Sequence, residues 1–525
     1  MNVLDQLLLH TPALLIAIPL LGAFLTPLIG RVNEKLRNAF VIAILSLTGI
    51  LLILLAQEVF ATGVVTYVFG STTPFVGKET VIRILFEIDG LSILMAMIAV
   101  ILSFSAVVYS WAFMEKNTGL DKYYALLLLL TVGMLGMVLT GDLFNLFVFL
   151  EITSIASCSL IAFHTNKVKS VEAAFKYIVV STIGALFVLM ALALLYGQYD
   201  ALNIAKLAES ITFSFVDKIA LILLLAALAM KGGIVPMHMW LPDAYSKAPS
   251  SVTLVLIGTT QAGLYGVFRV LFTVYGNVIT LPSISLGWIL VILGIITMIV
   301  GVIMAMIQTD FKRLIAYGAV AEIGYMFLGV GTCLTVISNP DITLAQAPFA
   351  MEALKGGLFH VINDALDIGL LFMVAGAVYF ATHETSLNNL GGLARNMKYT
   401  TVFFIIGLLA VSGIPPMNGF ASKLLIYEST YQLNPILSIV AILSSIMLLA
   451  IFVKVFHAAF LGPALPQYET VREVPKSMLI AMGFITVFII IFGLFPDLII
   501  NTIIDPAANA LIDNAGYIHW LVGGV

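Results

Sequence analysis

The chain has 525 residues, of which 61% are hydrophobic and only 10% are charged, and its formal net charge is −4. An ordinary soluble domain carries about 25% charged residues, so this composition excludes a soluble globular protein. The acidic balance and the lack of a polybasic run exclude a nucleic-acid-binding surface. We therefore expect an integral membrane protein that contacts the lipid bilayer and binds no nucleic acid.

Apolar runs of about 20 residues, each long enough to cross the hydrocarbon core as a helix, recur along the chain. The N-terminus has no basic segment ahead of its apolar run and no small-residue cleavage site, so the first run is interpreted as a retained helix. The pattern predicts an all-α polytopic membrane protein with about fourteen transmembrane helices, numbered as spans: 11–30, 39–59, 88–113, 123–140, 142–163, 171–196, 217–246, 250–275, 281–307, 311–333, 348–381, 400–427, 434–462 and 475–499.

The 24 Lys and Arg residues alternate along the loops that separate these spans. Fourteen lie in odd-numbered loops and four in even-numbered loops. By the positive-inside rule the odd loops are cytoplasmic, which predicts a multi-pass protein of the cell membrane with both termini outside. A miscounted span would disturb the alternation downstream, so its regularity supports fourteen. Six basic residues remain in or near spans: Lys176, Lys231, Arg269, Lys355, Lys423 and Lys454.

The first half of the chain carries several local signals. Residues 60–87 alternate polar and apolar side chains and are rich in β-branched residues, which predicts a short outer hairpin. Glu151 follows the start of span five by about 13 Å at 1.5 Å per residue, near mid-membrane. Glu172 and Lys176 open span six at i, i+4, on one helical face. An interfacial ion pair is the structural alternative for these two residues.

Span seven contains an unusual combination of a charge and a helix break. Lys231 lies in an apolar run and is followed by Gly232, Gly233, Pro236 and His238. A charge near the bilayer centre costs at least roughly 2.5–3.5 kcal/mol and usually marks an ion path. Gly and Pro free backbone groups that are tolerated at depth only where protein or water satisfies them. We therefore expect a proton or cation path through span seven.

Span twelve repeats this interruption. The residues at 233–237, GIVPM, match those at 413–417, GIPPM, and Lys423 follows the second break. Paired interrupted spans in corresponding positions indicate an inverted-repeat transporter, here with five-helix repeats formed by spans four to eight and nine to thirteen. The predicted organisation is spans one to three with the hairpin, the first repeat, the second repeat, and span fourteen with an outer tail, at 1–121, 122–276, 277–463 and 464–525.

Further polar residues interrupt the later spans. Glu322 lies in span ten, and span eleven carries His360, Asp364 and Asp367 at i, i+4 and i+7, on one face. Such a stripe on a helix surrounded by lipid or protein is not a solvated surface. Structural alternatives remain for single residues: Arg269 and Lys454 would snorkel to the cytoplasmic interface, and Glu322 and Lys355 would be satisfied structural partners.

Motifs for catalysis and metal binding are missing from the sequence. It contains no HExxH, no GxSxG and no P-loop. Cys158 and Cys333 fall inside spans without a CxxC or a Cys/His cluster, so we expect buried structural cysteines. The sequence therefore predicts no catalytic site, no metal site and no cofactor in this chain, and any electron transfer would belong to partner subunits.

Four stretches resemble the antiporter-like membrane subunits shared by respiratory complex I, membrane-bound hydrogenases, sulfur-reducing complexes and Mrp-type cation/proton antiporters. The first is most similar to the D subunit of Mrp antiporters, and the resemblance covers spans three to thirteen. It implies a subunit of a larger complex, redox-driven or Mrp-like, with other membrane subunits as partners. The stretches are TGDLFNLFVFLE (140–151), KGGIVPMHMWLPDAYSKAP (231–249), QTDFKRLIAYGAVAEIGYMFLG (308–329) and SGIPPMNGFASK (412–423).

The resemblance also implies roles for matching positions. Glu151 and Lys231 would form the family's ion pair, with the lysine as the switchable proton carrier. Lys423 would lie at the outlet, and His238 would lie in the hydrated path beside the first break. Lys176 matches a span-six lysine that is often present in the family.

The centre of the chain departs from the family pattern. Gln261 stands where Mrp-type relatives carry a lysine, Asp364 and Ile368 stand where relatives have histidine and then lysine, and Glu322 replaces a glutamine. Three possibilities follow: a proton relay among carboxylates, a bound cation such as Na⁺, or an incomplete channel in a coupling or structural subunit. The first two would use the same set, Glu322, Asp364, Asp367 and His360.

Overall fold

The computed structural model describes residues 9–69, 84–278, 286–339 and 344–522, which are almost entirely helical. The elements of the first half are α1 (Thr11–Val32), α2 (Glu34–Thr62), β1 (Val65–Val68), β2 (Leu85–Ile88), α3 (Gly90–Phe113), α4 (Leu120–Leu139), α5 (Leu143–Ile161), α6 (Val168–Tyr199), α7 (Ile204–Ser210), α8 (Phe215–Gly232), α9 (Trp240–Lys247) and α10 (Ser250–Arg269), which continues as a π-helical turn (Val270–Val274).

The second half follows the same style. Its elements are α11 (Leu286–Met306), α12 (Phe311–Ile337), α13 (Phe349–Thr382), α14 (Lys398–Val411), α15 (Asn418–Leu433), α16 (Pro435–Val455) with a π-helical end (Phe456–Leu461), α17 (Lys476–Leu494), α18 (Pro496–Ile499) with a π-helical end (Ile500–Ile504), α19 (Asp505–Ile512) and α20 (Asn514–Val522).

Twelve of the described helices are long and apolar enough to cross a membrane, which makes this a multi-pass membrane protein. They correspond to predicted spans one to six, eight to eleven, thirteen and fourteen. Predicted spans seven and twelve are each split into two shorter helices, α8 with α9 and α14 with α15. The prediction that these two spans are interrupted is confirmed.

The predicted hairpin is present as an antiparallel pair of β1 and β2, in which Val65 lies opposite Ile88. Its predicted tip, residues 70–83, lies outside the described residues. β2 leads directly into Asp89, whose side chain accepts a hydrogen bond from Ser92 N and so caps α3. The strand pair therefore sets where the third long helix begins.

The first break follows a glycine C-cap. α8 ends at Gly232, and Gly233 has φ +72°, in the left-handed region that favours glycine. The amide of Ile234 then donates to the carbonyl of Ala229 over 3.2 Å, as in a Schellman motif. The Val235–Pro236 peptide is cis. These features terminate α8 inside the protein with its last carbonyls partly satisfied.

The second break has the same local geometry. Gly413 has φ +65°, and the Pro415–Pro416 peptide is cis. The amide of Ile414 donates to the carbonyl of Leu409 over 2.9 Å. The GIVPM and GIPPM stretches therefore adopt matching backbone conformations, which the short sequence match alone did not establish.

We expect Gly233→Ala to lower the thermal midpoint of the purified protein. A Cβ there would lie 2.5 Å from Leu241 Cδ1, and the left-handed φ adds a cost, together about 1–3 kcal/mol. Gly197→Ala is the matched control, because a Cβ at Gly197 meets nothing within 4 Å and its helix α6 favours alanine. Heat-induced labelling of the buried thiol of Cys333 measures both. Equal midpoints for the two variants would contradict the steric argument.

The centre of the bundle is formed by α10, α12 and α13. All residues of α10 are buried, and most of α12 and α13 are buried as well. Peripheral helices such as α2, α6 and α16 expose large apolar side chains, for example Ile53, Phe175 and Ile442. That surface suits lipid, since water would disfavour such a large apolar area.

Arg269 corrects one alternative drawn from the sequence. It does not snorkel to an interface: its guanidinium is buried and donates to both carboxylate oxygens of Asp89 over 2.7 and 2.8 Å. The guanidinium carbon also lies 5.1 and 5.0 Å from the ring centres of Tyr265 and Tyr517. A bidentate partner and two rings explain why this charge is retained inside. Lys454, by contrast, is exposed at the end of α16.

Candidate functional site

Polar and charged side chains are buried along the interior of α8, α10, α12, α13 and α15. A buried charge is costly unless it is paired or hydrated, so each of these groups needs a partner, water or an ion. Each of the following is 5% exposed or less: Lys231, Gln261, Glu322, His360, Asp364, Asp367 and Lys423.

Lys231, one residue before the end of α8, lies among neutral oxygens. Its Nζ donates to Ser154 Oγ over 3.1 Å and to Tyr177 OH over 2.6 Å. Ser154 Oγ is also 2.7 Å from Ser181 Oγ. A cavity of about 10 Å³, roughly the size of one water molecule, adjoins Lys231, Tyr177 and Ser181. Hydroxyls and this small space therefore hold the ammonium.

Glu151 is the ninth residue of α5, one turn before Ser154, and it does not join this hydroxyl group. It is half-buried, and its Oε1 is shielded from solvent without a hydrogen-bond partner. The ion pair with Lys231 that the resemblance implies is not formed in this structure. The hydroxyls of Ser154 and Tyr177 occupy the ammonium instead.

His238 and Lys176 occupy different surroundings. His238 lies in the first break, buried, and its Nδ1 has no hydrogen-bond partner among the described residues. Lys176 is about half exposed, and its Nζ lies 2.7 Å from Glu172 and 2.9 Å from Asp243 of α9. Lys176 therefore belongs to an ion-pair group that includes its predicted i, i+4 partner, apart from the hydroxyls around Lys231.

Glu322 of α12 lies between two basic side chains. Its Oε1 is 2.8 Å from Lys423 Nζ, and its Oε2 is 2.8 Å from His360 Nε2. Lys423 also donates to the carbonyl of Val411 over 2.7 Å, at the end of α14, and lies 4.4 Å from the ring centre of Tyr325. This arrangement satisfies both the lysine and a carbonyl left free by the second break.

The same group extends along α13 through amides and carboxylates. Gln261 Nε2 of α10 donates to Asp364 Oδ2 over 2.7 Å. Asn363 donates to the carbonyl of Asn418 over 3.1 Å. Asp367 approaches the start of α15, where its Oδ2 would lie 3.3 Å from a Cβ placed on Gly419. The stripe predicted on span eleven thus faces α10 at one level and α15 at another.

Several oxygens and nitrogens of this region remain without a hydrogen-bond partner in the described part of the chain. Buried polar groups are normally satisfied, so these atoms indicate places for ordered water or an ion. They are Gln261 Oε1, Asn363 Oδ1, Asp364 Oδ1, Asp367 Oδ1 and both amide atoms of Asn418. Within the described ranges, however, there is no group of three or more His, Cys, Asp or Glu residues placed to hold a metal ion.

Aromatic and hydroxyl side chains connect the two halves. The ring of Tyr177 contacts Trp240 at 5.0 Å between centroids, and Trp240 contacts Tyr245 at 6.3 Å. Tyr245 OH is 2.6 Å from Thr260 Oγ1, the residue before Gln261. The region between Lys231 and Asp364 is therefore lined by residues of α6, α9 and α10.

Sequence reasoning missed the groups that hold Lys231. Ser154 and Tyr177 look like ordinary helix residues, yet Ser154 follows Glu151 by three positions, the spacing of neighbouring side chains on one face. That spacing was the available signal. The carbonyl of Val411, which binds Lys423, has no side-chain signature at all.

Comparison with known proteins adds family and architecture. The family described as "NADH:quinone oxidoreductase/Mrp antiporter, TM" matches residues 140–449, and "NADH-Ubiquinone oxidoreductase (complex I), chain 5 N-terminus" matches residues 76–124. NADH-quinone oxidoreductase subunit N of Desulforudis audaxviator is 32% identical over 532 residues, covering 95% of this chain and 98% of that protein. A Na(+)/H(+) antiporter subunit of Alkalihalophilus pseudofirmus is 30% identical, covering 94% of this chain and 62% of the longer relative.

Two solved assemblies contain chains of the same fold. A chain of the Mrp complex from Dietzia sp. DQ12-45-1b superposes with a TM-score of 0.86 at 25% identity, and both chains are covered completely. A chain of the archaeal membrane-bound sulfane sulfur reductase superposes with a TM-score of 0.83 at 26% identity, covering 98% of this chain and all of that one. The similarity therefore extends over the whole bundle.

Proposed function

Since this chain belongs to the NADH:quinone oxidoreductase/Mrp antiporter family of membrane proteins, we propose that it moves protons across the membrane as an antiporter-like subunit of a multisubunit complex. Its partners would be other membrane subunits of a complex I-like, hydrogenase-like or Mrp-like assembly. The complex would be redox-driven, as in the reductase relatives, or an Mrp-type antiporter. The likeness to the Mrp D subunit stays a prediction.

The observation that carries this proposal is Glu322 between His360 and Lys423. A carboxylate 2.8 Å from both an imidazole and an ammonium can pass a proton between them with small movements. All three groups are buried in the centre of the bundle. A purely structural ion pair requires no second basic group on the other carboxylate oxygen.

The proposed topology has fourteen crossings. The two broken pairs, α8 with α9 and α14 with α15, would each cross once, in two inverted repeats at 122–276 and 277–463. The matching glycine caps and prolines of the breaks support this correspondence. With fourteen crossings and basic odd loops, both termini would lie outside.

The first half of the path would work by switching the partners of Lys231. In the present arrangement neutral hydroxyls hold the ammonium, while Glu151 has a free buried oxygen. Movement of Lys231 towards Glu151 would form the ion pair and favour loading of a proton, and return to the hydroxyls would favour its release. His238, with its free Nδ1 beside the break, would line the inlet together with water.

The second half would carry the proton from Asp364 towards Lys423. Asp364 and Asp367 have free buried oxygens that water can bridge to the His360, Glu322 and Lys423 group. Na⁺ bound by these oxygens is the alternative, and the unpaired amide and carboxylate oxygens favour it as a second candidate. In both cases Asp364 is central, because it joins α10 to α13.

We expect Asp364→Asn to reduce ion transport by at least about tenfold, because asparagine keeps the shape but neither carries a proton nor binds a cation as strongly. The intact complex in proteoliposomes, assayed with a pH-sensitive dye and with ²²Na⁺, measures both ions. Asp200→Asn, on an exposed residue after α6, is the control. Selective loss of ²²Na⁺ uptake would favour the cation site over the proton relay.

A non-conducting structural or coupling subunit of the same kind of complex is the alternative function. Gln261 favours it, because this residue carries no proton at a position where Mrp-type relatives have lysine. Unchanged transport after both Asp364→Asn and loss of the Lys231 charge would establish this alternative and contradict the ion path.

A further inference from the structure

A cavity of about 360 Å³ lies where the ends of α5, α9 and α13 meet the starts of α6, α10 and α12. It is separate from the buried groups described above and takes no part in the proposed path. By the proposed topology this end of the bundle faces the cytoplasm. Its wall carries an excess of basic side chains, namely His164, Lys167, Lys169, Lys247 and Lys312.

The acidic residue on this wall already has partners. Asp310 Oδ1 accepts a hydrogen bond from Arg313 N as the cap of α12, and its Oδ2 lies 3.6 Å from Lys247 Nζ. One carboxylate therefore faces four lysines. The cavity keeps a positive charge that Asp310 does not neutralise.

Lys312 is the deepest of these lysines and is only 7% exposed. Its Nζ donates to the carbonyl of Ala248, and no carboxylate of the described residues lies within ion-pair distance of it. A buried ammonium without a counter-charge is costly, and an anion in the adjoining space would offset that cost.

Two long helices begin at the cavity without side-chain caps. The residues at their cap positions are Lys167 for α6 and Pro249 for α10, and neither side chain accepts a hydrogen bond from the first turn. The partial positive charge of a helix start favours anions, and phosphate groups above all. Ser250 adds a hydroxyl on the same wall.

We propose that this cavity binds a phosphate-bearing anion, supplied by the headgroup of an acidic phospholipid or by a free phosphate compound. Basic pockets between helix ends at the cytoplasmic surface are typical sites for acidic headgroups. Phe113 and Val168 provide apolar surface beside the charges, which suits the acyl region of a lipid. The site does not depend on whether the chain conducts ions.

The test compares two probes on the full chain, purified in neutral detergent with its accompanying subunits. One probe is fluorescent phosphatidylglycerol, with phosphatidylcholine as reference, and the other is ³²P-orthophosphate. Lys167→Gln/Lys169→Gln/Lys312→Gln should weaken binding about 100-fold, roughly fivefold for each lysine. Lys116→Gln/Lys122→Gln, at exposed positions around the start of α4, removes two lysines on the same predicted side without touching the cavity.

The outcomes separate the two sources. Preference for phosphatidylglycerol, lost in the triple variant and kept in the control, supports a lipid headgroup, while saturable orthophosphate binding with the same dependence supports a free phosphate. Equal binding by the triple and control variants overturns the site, as does cross-linking of Lys167 to an acidic partner segment when neither probe binds. The Lys→Arg triple variant should retain binding, which distinguishes lost charge from misfolding.

Discussion

Glu322→Ala is expected to lower the stability of the protein by about 3–5 kcal/mol and to reduce ion transport by about 100-fold or more. The substitution leaves Lys423 buried with the carbonyl of Val411 and without its carboxylate. It also deprives His360 of the group 2.8 Å away. Thermal unfolding in detergent and proton uptake by proteoliposomes measure the two effects.

The double variant Glu322→Ala/Lys423→Ala distinguishes stability from transport. Removing both charges should recover much of the lost stability, because no unpaired buried charge remains, while transport stays absent. Glu352→Ala is the matched control: its partner Lys355 is less buried and keeps Asp505 at 3.0 Å, so the cost should stay within about 1 kcal/mol. Near-normal transport in the double variant would rule out a conducting role for this pair.

Lys231→Met is expected to reduce transport by about 100-fold or more with little change in stability. Methionine keeps the length of the apolar stem but carries no proton. Stability should change little, because the partners of the ammonium are the neutral hydroxyls of Ser154 and Tyr177, which can bind water in the adjoining space. The proton-uptake assay and the thermal midpoint measure both quantities.

Lys454→Met is the control for Lys231, since it also removes a lysine at a helix end, but from an exposed site. Its transport should remain within about twofold of the unchanged protein. If Lys231→Met retains most of the transport while Glu322→Ala abolishes it, the path begins elsewhere and the hydroxyl group around Lys231 is structural.

The helices and their interruptions were largely predictable. A run of apolar residues in lipid must satisfy its own backbone, so length and composition locate α1 to α6 and α10 to α13 without reference to neighbours. The breaks at Gly233 and Gly413 were equally local, since glycine followed by proline ends a helix wherever it packs. The i, i+4, i+7 spacing also placed His360, Asp364 and Asp367 on a buried face.

The partners of these residues were less predictable. Glu151 and Lys231 were expected to pair, yet two hydroxyls take the lysine. Lys176 was expected on the path, and it lies in a half-exposed ion-pair group with Glu172 and Asp243. Arg269 was given a snorkelling alternative, and it is buried against Asp89. Each of these outcomes depends on a side chain of another helix.

Local sequence was therefore sufficient for the membrane class, the helix positions, the two breaks and the identity of the buried titratable residues, because these follow from the hydropathy and backbone preferences of adjacent residues. Contacts such as Lys423 with Glu322, 101 positions apart, and Gln261 with Asp364, 103 positions apart, arise when separate helices pack together. Packing sets which helical faces meet, and a buried charge takes whichever oxygen or nitrogen lies within reach. That choice is absent from the order of residues along one helix, and it places Glu322 between His360 and Lys423.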